Sequence, residues 1–117
     1  MKKILFIAVI VIVILYFYVF NGIKFEIINN SGESIYNVKF YTSEKFDVAT
    51  FDEISSKEEC DDFLNMRKNK IDGEYILEFT QRDKLKKINT GYYTNGGALD
   101  EKLIFQVEKD TILVQIK

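Results

Sequence analysis

Histidine, tryptophan and proline are absent from this chain of 117 residues. Without histidine there is no Ser-His-Asp or Cys-His pair and none of the usual zinc sites. A glycine loop of the kind that holds phosphate is also missing. The sequence therefore predicts a protein that is not an enzyme and that needs neither a metal nor another cofactor.

Cysteine occurs once, at Cys60, so no disulfide can form within the chain. Any folded domain must then be stabilised by its apolar core, to which ten Phe and seven Tyr contribute. Carboxylates flank Cys60 on both sides, and negative neighbours raise the pKa of a thiol. We interpret Cys60 as a buried or unreactive thiol, with an intermolecular disulfide as the alternative.

An excess of basic residues is missing as well. Of the 16 basic residues, Lys2 and Lys3 precede the first apolar segment, which leaves 14 against 18 acidic ones and a net charge of −4. This balance argues against a nucleic-acid partner, because phosphate binding needs a clustered basic surface. The basic run at 82–87 is predicted to be a solvated turn, and the paired acids between 52 and 62 a solvated acidic face without calcium-loop spacing.

The most distinctive segment is an uncharged run of 17 apolar or aromatic residues at 4–20. As a helix it would extend about 26 Å, against a hydrocarbon core of about 30 Å, and its insertion would gain roughly 4–8 kcal/mol. We expect residues 4–23 to form a transmembrane anchor in contact with the lipid bilayer. Its anchor residues, spaced along this run, include Ile4, Ile10, Leu15 and Phe20.

A cleaved signal peptide is the main alternative to this anchor, because both begin with basic residues followed by an apolar run. The run is longer than the usual 7–15 residues of such peptides, and no pair of small residues follows it. An uncleaved signal anchor in the cell (inner) membrane of a bacterium is therefore favoured. Residues 1–3 are then cytoplasmic and 24–117 extracytoplasmic, since positive charge stays inside.

Side-chain alternation with period two predicts that residues 24–117 form one mainly β domain. Residues 23–28 and 36–40 alternate around a turn at 29–32, which predicts a first hairpin. Residues 75–79 form a strand, and 103–107 and 112–116 form the clearest hairpin. Six or seven short strands of this kind are typical of an antiparallel β-sandwich of immunoglobulin-like size.

Two stretches are harder to assign. Residues 46–54 alternate as a strand with Phe46 and Val48 on one face and a bulge before Ile54. For 57–66 a short helix is slightly favoured, because Ser55 and Ser56 stand at capping-box spacing from the acids that follow; a strand at 63–66 is the alternative. Residues 81–89 are predicted to be a loop or hairpin end.

A pair of tyrosines beside an Asn-Gly turn is the strongest candidate for a binding site. Tyr92, Tyr93 and Asn95 could present flat amphipathic rings to a protein partner. In the structural alternative, one tyrosine packs in the core, the other covers an edge, and Asn95 and Gly96 only make the turn. No feature of the sequence identifies the partner.

Together these features favour a non-catalytic, membrane-tethered protein-binding module of a bacterial envelope, for example in immunity or envelope assembly. A structural subunit of a membrane assembly and a cleaved, secreted β protein are the alternatives. Helix packing in lipid favours small residues at four-residue spacing, and Ala8 is the only small residue at 4–20. Of the two membrane-bound hypotheses, the structural subunit is therefore weaker than the binding module.

Overall fold

The structure, a computed structural model, describes residues 2–19 and 21–117, with the side chains of 17–19 left aside. One helix and nine strands lie within these residues. In chain order they are α1 (Lys2–Val19), β1 (Gly22–Asn29), β2 (Ile35–Thr42), β3 (Val48–Ile54), β4 (Glu59–Asn65), β5 (Gly73–Gln81), β6 (Lys84–Thr94), β7 (Gly97–Ala98), β8 (Lys102–Val107) and β9 (Ile112–Ile116). The predicted mainly β fold with one N-terminal helix is confirmed.

Helix α1 holds most of the apolar run. Ile4, Ile10 and Leu15 are all exposed, whereas Phe20 lies outside the described residues. Within the part of the chain that is described, no helix has the length and apolar character needed to cross a membrane. Strand β1 begins three residues after α1 ends, and Ile23, at the boundary of the predicted anchor, is buried in the core of the β domain.

The strands form two sheets, in the orders β4-β1-β8-β9 and β3-β2-β5-β6-β7. Seven strand pairs are hydrogen-bonded and six of them are antiparallel, but β1 and β8 pair in parallel. The expectation of a purely antiparallel pattern is therefore wrong at the centre of the smaller sheet. Parallel strands need a long connection, and here most of the domain separates β1 from β8.

Alternating apolar side chains of both sheets meet between them and make the core. The ring of Phe40 on β2 lies 4.3 Å from that of Phe25 on β1 and 5.5 Å from that of Phe105 on β8, centroid to centroid. Tyr75 and Leu77 on β5 are also fully buried. Aromatic rings from the two sheets thus supply the apolar area that holds a domain without disulfides together.

The first predicted hairpin is wrong, because β1 and β2 belong to different sheets. Asn29, fully buried at the end of β1, directs the chain from one sheet to the other. Its side-chain NH₂ group donates to the carbonyl oxygens of Glu33 and Ile54, and its Oδ1 accepts from Ser31. These bonds pair polar groups of the loop that connects the two sheets. Gly32, with its positive φ, therefore lies in a connection between sheets and not in a hairpin turn.

The favoured helix at 57–66 is also wrong, since residues 59–65 form strand β4 beside β1. Lys57, with a φ of 69°, has left the helical region, and its N–H donates to the carbonyl of Asn29. Leu64 enters the core, whereas Phe63 points outward. Pairing with β1 outweighs the local helix signal, as tertiary context often does.

Of the two predictions for 81–89, the hairpin end is confirmed and the loop is wrong, because most of these residues are strand. Only Arg82 and Asp83 form the turn between β5 and β6, and both have positive φ, as a two-residue hairpin requires. Strand β6 then continues from Lys84 through the charged residues. Their alternation was hidden because lysines occupy both faces of this strand.

The hairpin of β8 and β9 is confirmed, with the predicted alternation buried on β8. Strand β3 is confirmed in outline, but it begins at Val48, so Phe46 precedes it, and both side chains are exposed. β3 lies at the edge of its sheet. The irregularity expected beside it lies in β2, where Asn37 has a φ of 51° and the register with β5 shifts.

Candidate binding surface

The predicted tyrosine site lies at the end of β6, where the chain turns into β7. Tyr92 is 49% exposed, Tyr93 is fully buried, and Asn95 is exposed in the turn with a φ of 50°. The two tyrosines alternate as neighbours on a strand must. The side chain of Tyr93 is therefore unavailable to a partner in the folded protein, and Tyr92 and Asn95 remain on the surface.

Asp72 holds the exposed residues of this turn in place. One of its carboxylate oxygens accepts a hydrogen bond from the Tyr92 hydroxyl at 3.1 Å, and the other accepts from the backbone N–H of Asn95 at 2.9 Å. The hydrogen bond to this carboxylate raises the pKa of Tyr92 above its usual value. The Tyr92 ring is thus fixed at the surface by its own domain.

Tyr93 closes this end of the core. Its ring lies 5.5 Å from that of Tyr75, and its hydroxyl donates to a carboxylate oxygen of Glu44 at 3.1 Å. The same carboxylate accepts from the N–H groups of Lys70 and Ile71, so it also fixes the loop between β4 and β5. These bonds give Tyr93 a structural role, as in the structural alternative above.

The turn that follows packs against the same loop. The Gly96 N–H donates to the carbonyl of Ile71 at 2.9 Å, and a Cβ on Gly96 would overlap the carbonyl of Asn69. Only glycine fits here, because its φ of 75° and this close approach both exclude a side chain. Asn95 and Gly96 therefore form a turn that packs against the loop between β4 and β5.

The acidic stretch between 52 and 62 lies on β3, β4 and their connection, along one side of the domain. Within residues 2–19 and 21–117, no three Cys, Asp or Glu side chains lie close enough to share a metal ion. Cys60 is half-buried on β4, and burial, followed by the charges of Glu58 and Asp61, raises the pKa of its thiol. The expected direction of this shift is confirmed.

A second surface, which is not among the sites predicted from the sequence, is the free edge of β9. Strand β9 pairs with β8 and is last in its sheet. Lys102 and Lys117 exchange both backbone hydrogen bonds, and the Glu108 N–H donates to Thr111. Because bonded pairs alternate along an antiparallel ladder, the backbone N–H and C=O groups that point away from β8 are those of Ile112, Val114 and Ile116.

This edge lacks the features that usually protect an edge strand. β9 is not covered by a helix, has no charge between Ile112 and Ile116, and leaves Leu113 and Ile116 about half exposed. Edge strands are normally blunted by lysine, proline, bulges or inward-pointing charges. An apolar edge with free backbone groups is a template on which another extended chain can form a strand.

Beside β9, the two sheets leave a groove of about 350 Å³. Its apolar wall is formed by Phe79, Ile88, Val107 and Ile112. Lys86 also lines it, and its ammonium group donates to the side-chain oxygen of Gln81 at 2.9 Å. We call this side of the domain the lysine side. It is made of the free edge of β9 and of the part of β6, residues 84–92, that β7 does not cover, and Lys84, Lys86 and Lys87 all lie on that part.

The opposite side is formed by the edges of β4 and β3, and we call it the acidic side. Its strands carry Asp52 and Glu53 on β3 and Glu59, Asp61 and Asp62 on β4. Asp62 lies on the same face of β4 as buried Leu64 but is exposed, and its carboxylate accepts the N–H of Phe63 at the free edge. The domain is therefore charged oppositely along its two open sides.

The sequence carries one indication of this surface, in strand β9, but it does not show that β9 is an edge strand. Residues 112–116 are apolar at four of five positions, which is unusual for a strand with one solvated face. The alternation predicts the strand, yet only the pairing order shows that it is last in its sheet. Position in the sheet decides which backbone groups are free.

No family profile and no curated protein matches this chain. Among solved structures, the NMR structure of a protein from Eubacterium rectale is similar, with a TM-score of 0.54 and 14% sequence identity. The match covers 82% of this chain and 88% of that chain. At this identity the likeness concerns the fold alone.

Proposed function

We propose that this protein is a non-catalytic protein-binding module held at the outer face of a bacterial cell (inner) membrane by its N-terminal segment. Its partner adds an extended segment to the β9 edge. The observation that carries the binding part is this apolar, unpaired edge beside an apolar groove. Main-chain hydrogen bonds would supply affinity, and the groove would select alternate side chains of the partner.

Membrane attachment is supported by the surface of α1. The large apolar side chains described between Ile4 and Tyr16 are exposed, the least of them, Ile10, by 42%. Leaving such side chains in water is unfavourable by about 25 cal/mol for each Å² of apolar surface, whereas lipid removes this cost. Lys2 and Lys3 precede the run, so the proposal places the N-terminus in the cytoplasm and residues 24–117 outside it.

Attachment is tested by fractionation of cells that express the full chain. We expect the protein to remain in the membrane pellet after alkaline extraction. Replacing Ile10 and Ile12 with lysine should release it, because each lysine costs about 2.5–3.5 kcal/mol near the centre of an inserted helix. Recovery of the unchanged protein in the soluble fraction would refute membrane attachment.

Partner binding is tested by photocrosslinking in intact membranes, with a photoreactive residue at Gln115 on the outer face of β9. Val114→Pro removes one outward N–H and leaves the β8 ladder intact, so it should abolish crosslinking while the domain stays folded. Leu113→Ala serves as the matched control with the free N–H retained. Tyr92→Ala tests the tyrosine site, and loss of crosslinking only in this variant would move the binding surface to the β6–β7 turn.

A further inference from the structure

The two open sides of the domain form complementary halves of one contact. The free edge of β9 and the part of β6 that β7 does not cover lie on one side, because these strands contact each other across the sheets. The free edges of β4 and β3 lie on the other side, where these two strands are also in contact. Each side thus presents unpaired backbone from one strand of each sheet.

The strands of the two sides carry opposite charges, and these side chains form no ion pair among the described residues. Lys84, Lys86 and Lys87 on β6 take part in no ion pair among the described residues. The same is true of the acids on β3 and β4, which are Asp52, Glu53, Glu59, Asp61 and Asp62. Near the β8–β9 turn Glu108 and Asp110 also line the groove, so the positive charge is concentrated along β6.

We propose that the occupant of the lysine side is the acidic side of a second copy of this chain. This inference rests on the proposed function and names the partner of the same surface. The β9 edge of one copy lies against the β4 edge of the next, and β6 lies against β3. Asp62, now bonded to the N–H of Phe63, exchanges this partner for the ammonium group of Lys86 in the neighbouring copy.

Like charges exclude the symmetric alternatives. A two-fold arrangement through β9 would place the lysine sides of both copies together, and one through β4 would do the same with the acids. Head-to-tail contact alone joins opposite charges. Such a contact repeats from copy to copy, so the expected product is an open row and not a closed dimer.

Strand direction is consistent with a row on one membrane. β4 is antiparallel to β1, β9 is antiparallel to β8, and β1 and β8 are parallel. β4 and β9 therefore run in the same direction. A simple translation then brings β9 beside β4 of the next copy and keeps every helix α1 at the same end of its domain.

The test uses Cys60 on β4 as a natural probe in the full chain, reconstituted in phosphatidylcholine vesicles. Ile116→Cys adds a second thiol on β9, and a bis-maleimide with a span of about 8 Å is applied. Within one copy the two strands are three spacings apart, roughly 14 Å, so the reagent cannot join them. We expect a ladder of dimers, trimers and higher species, which disappears when Cys60→Ser is added.

Charge reversal decides whether the stated sides make the contact. Lys84→Glu with Lys87→Glu should reduce crosslinking about tenfold, and so should Glu59→Lys with Asp61→Lys. Mixing the two variants should restore a crosslinked heterodimer. Dimers that persist in the Cys60→Ser background, or an absence of ladder in all variants, would overturn the inference. If the Gln115 photoprobe then captures a different protein in a manner sensitive to Val114→Pro, the occupant is wrong and the proposed function stands.

Discussion

The two edge strands of the smaller sheet, β4 and β9, differ in whether their unpaired backbone groups are protected from pairing with another chain. Both leave one row of backbone groups unpaired. β4 carries three acids, and the Asp62 carboxylate accepts the N–H of Phe63 on its free edge at 2.8 Å. β9 has no charge and no such cap. The comparison teaches that protection against strand addition is selective here, because the same sheet is guarded at one edge and open at the other.

The two edge strands also differ in how deeply their inner side chains are buried in the core. Leu64 on β4 is 2% exposed, whereas Val114 on β9 is only half-buried. Leu64→Ala should lower the free energy of unfolding by about 2–4 kcal/mol, since it leaves a cavity in a closed site. Val114→Ala should lower it by about 1 kcal/mol, because solvent reaches the site already. Urea unfolding of both variants measures this difference, and an equal loss would remove the contrast.

Close backbone packing fixes β4 on β1 in a way that β9 lacks. A Cβ on Gly22, at the start of β1, would overlap the carbonyl oxygen of Leu64 and the ring of Phe63. Gly22→Ala should therefore cost about 1–3 kcal/mol and speed hydrogen exchange of the β4 amides, but not those of β9. Gly97→Ala is the control, because its Cβ meets only an ordinary contact at 3.5 Å. Equal exchange in both strands would show that β4 is not held by this contact.

The strands of the core could be predicted from alternation, since a buried face repeats every second residue. This holds for β5 and β8, where Tyr75, Leu77, Leu103 and Phe105 are buried as expected, and the strand predicted at 112–116 is confirmed as β9. It failed for β4 and β6, whose residues alternate poorly because their edges carry charges. The acids of β4 and the lysines of β6 interrupt the apolar alternation, so the sequence favours a helix or a loop at these positions.

The candidate surfaces could be predicted only in part. Asn95 and Gly96 form the expected turn, but whether Tyr92 or Tyr93 faces the core depends on strand register. Pairing between distant segments determines which strand is last in a sheet, and β1 with β8 is an example of such a pair. The sequence therefore predicts strand β9 but not its position at the edge of the sheet.

The smallest expected difference between β4 and β9 is in the alkylation rate of a thiol on each strand. Burial and the charges of Glu58 and Asp61 raise the pKa of Cys60 on β4, so less thiolate is present at pH 8 and alkylation should be slow. A Val114→Cys thiol, introduced into Cys60→Ser, occupies a half-buried inner position on β9 without acids in its own strand. The alkylation rate of this thiol should therefore rise at a lower pH than that of Cys60. Asp61→Asn should speed Cys60 alkylation about twofold to threefold, because exposed charges interact weakly. An unchanged rate in Asp61→Asn would assign the slow reaction to burial alone, and the acids of β4 would then act only on approaching chains.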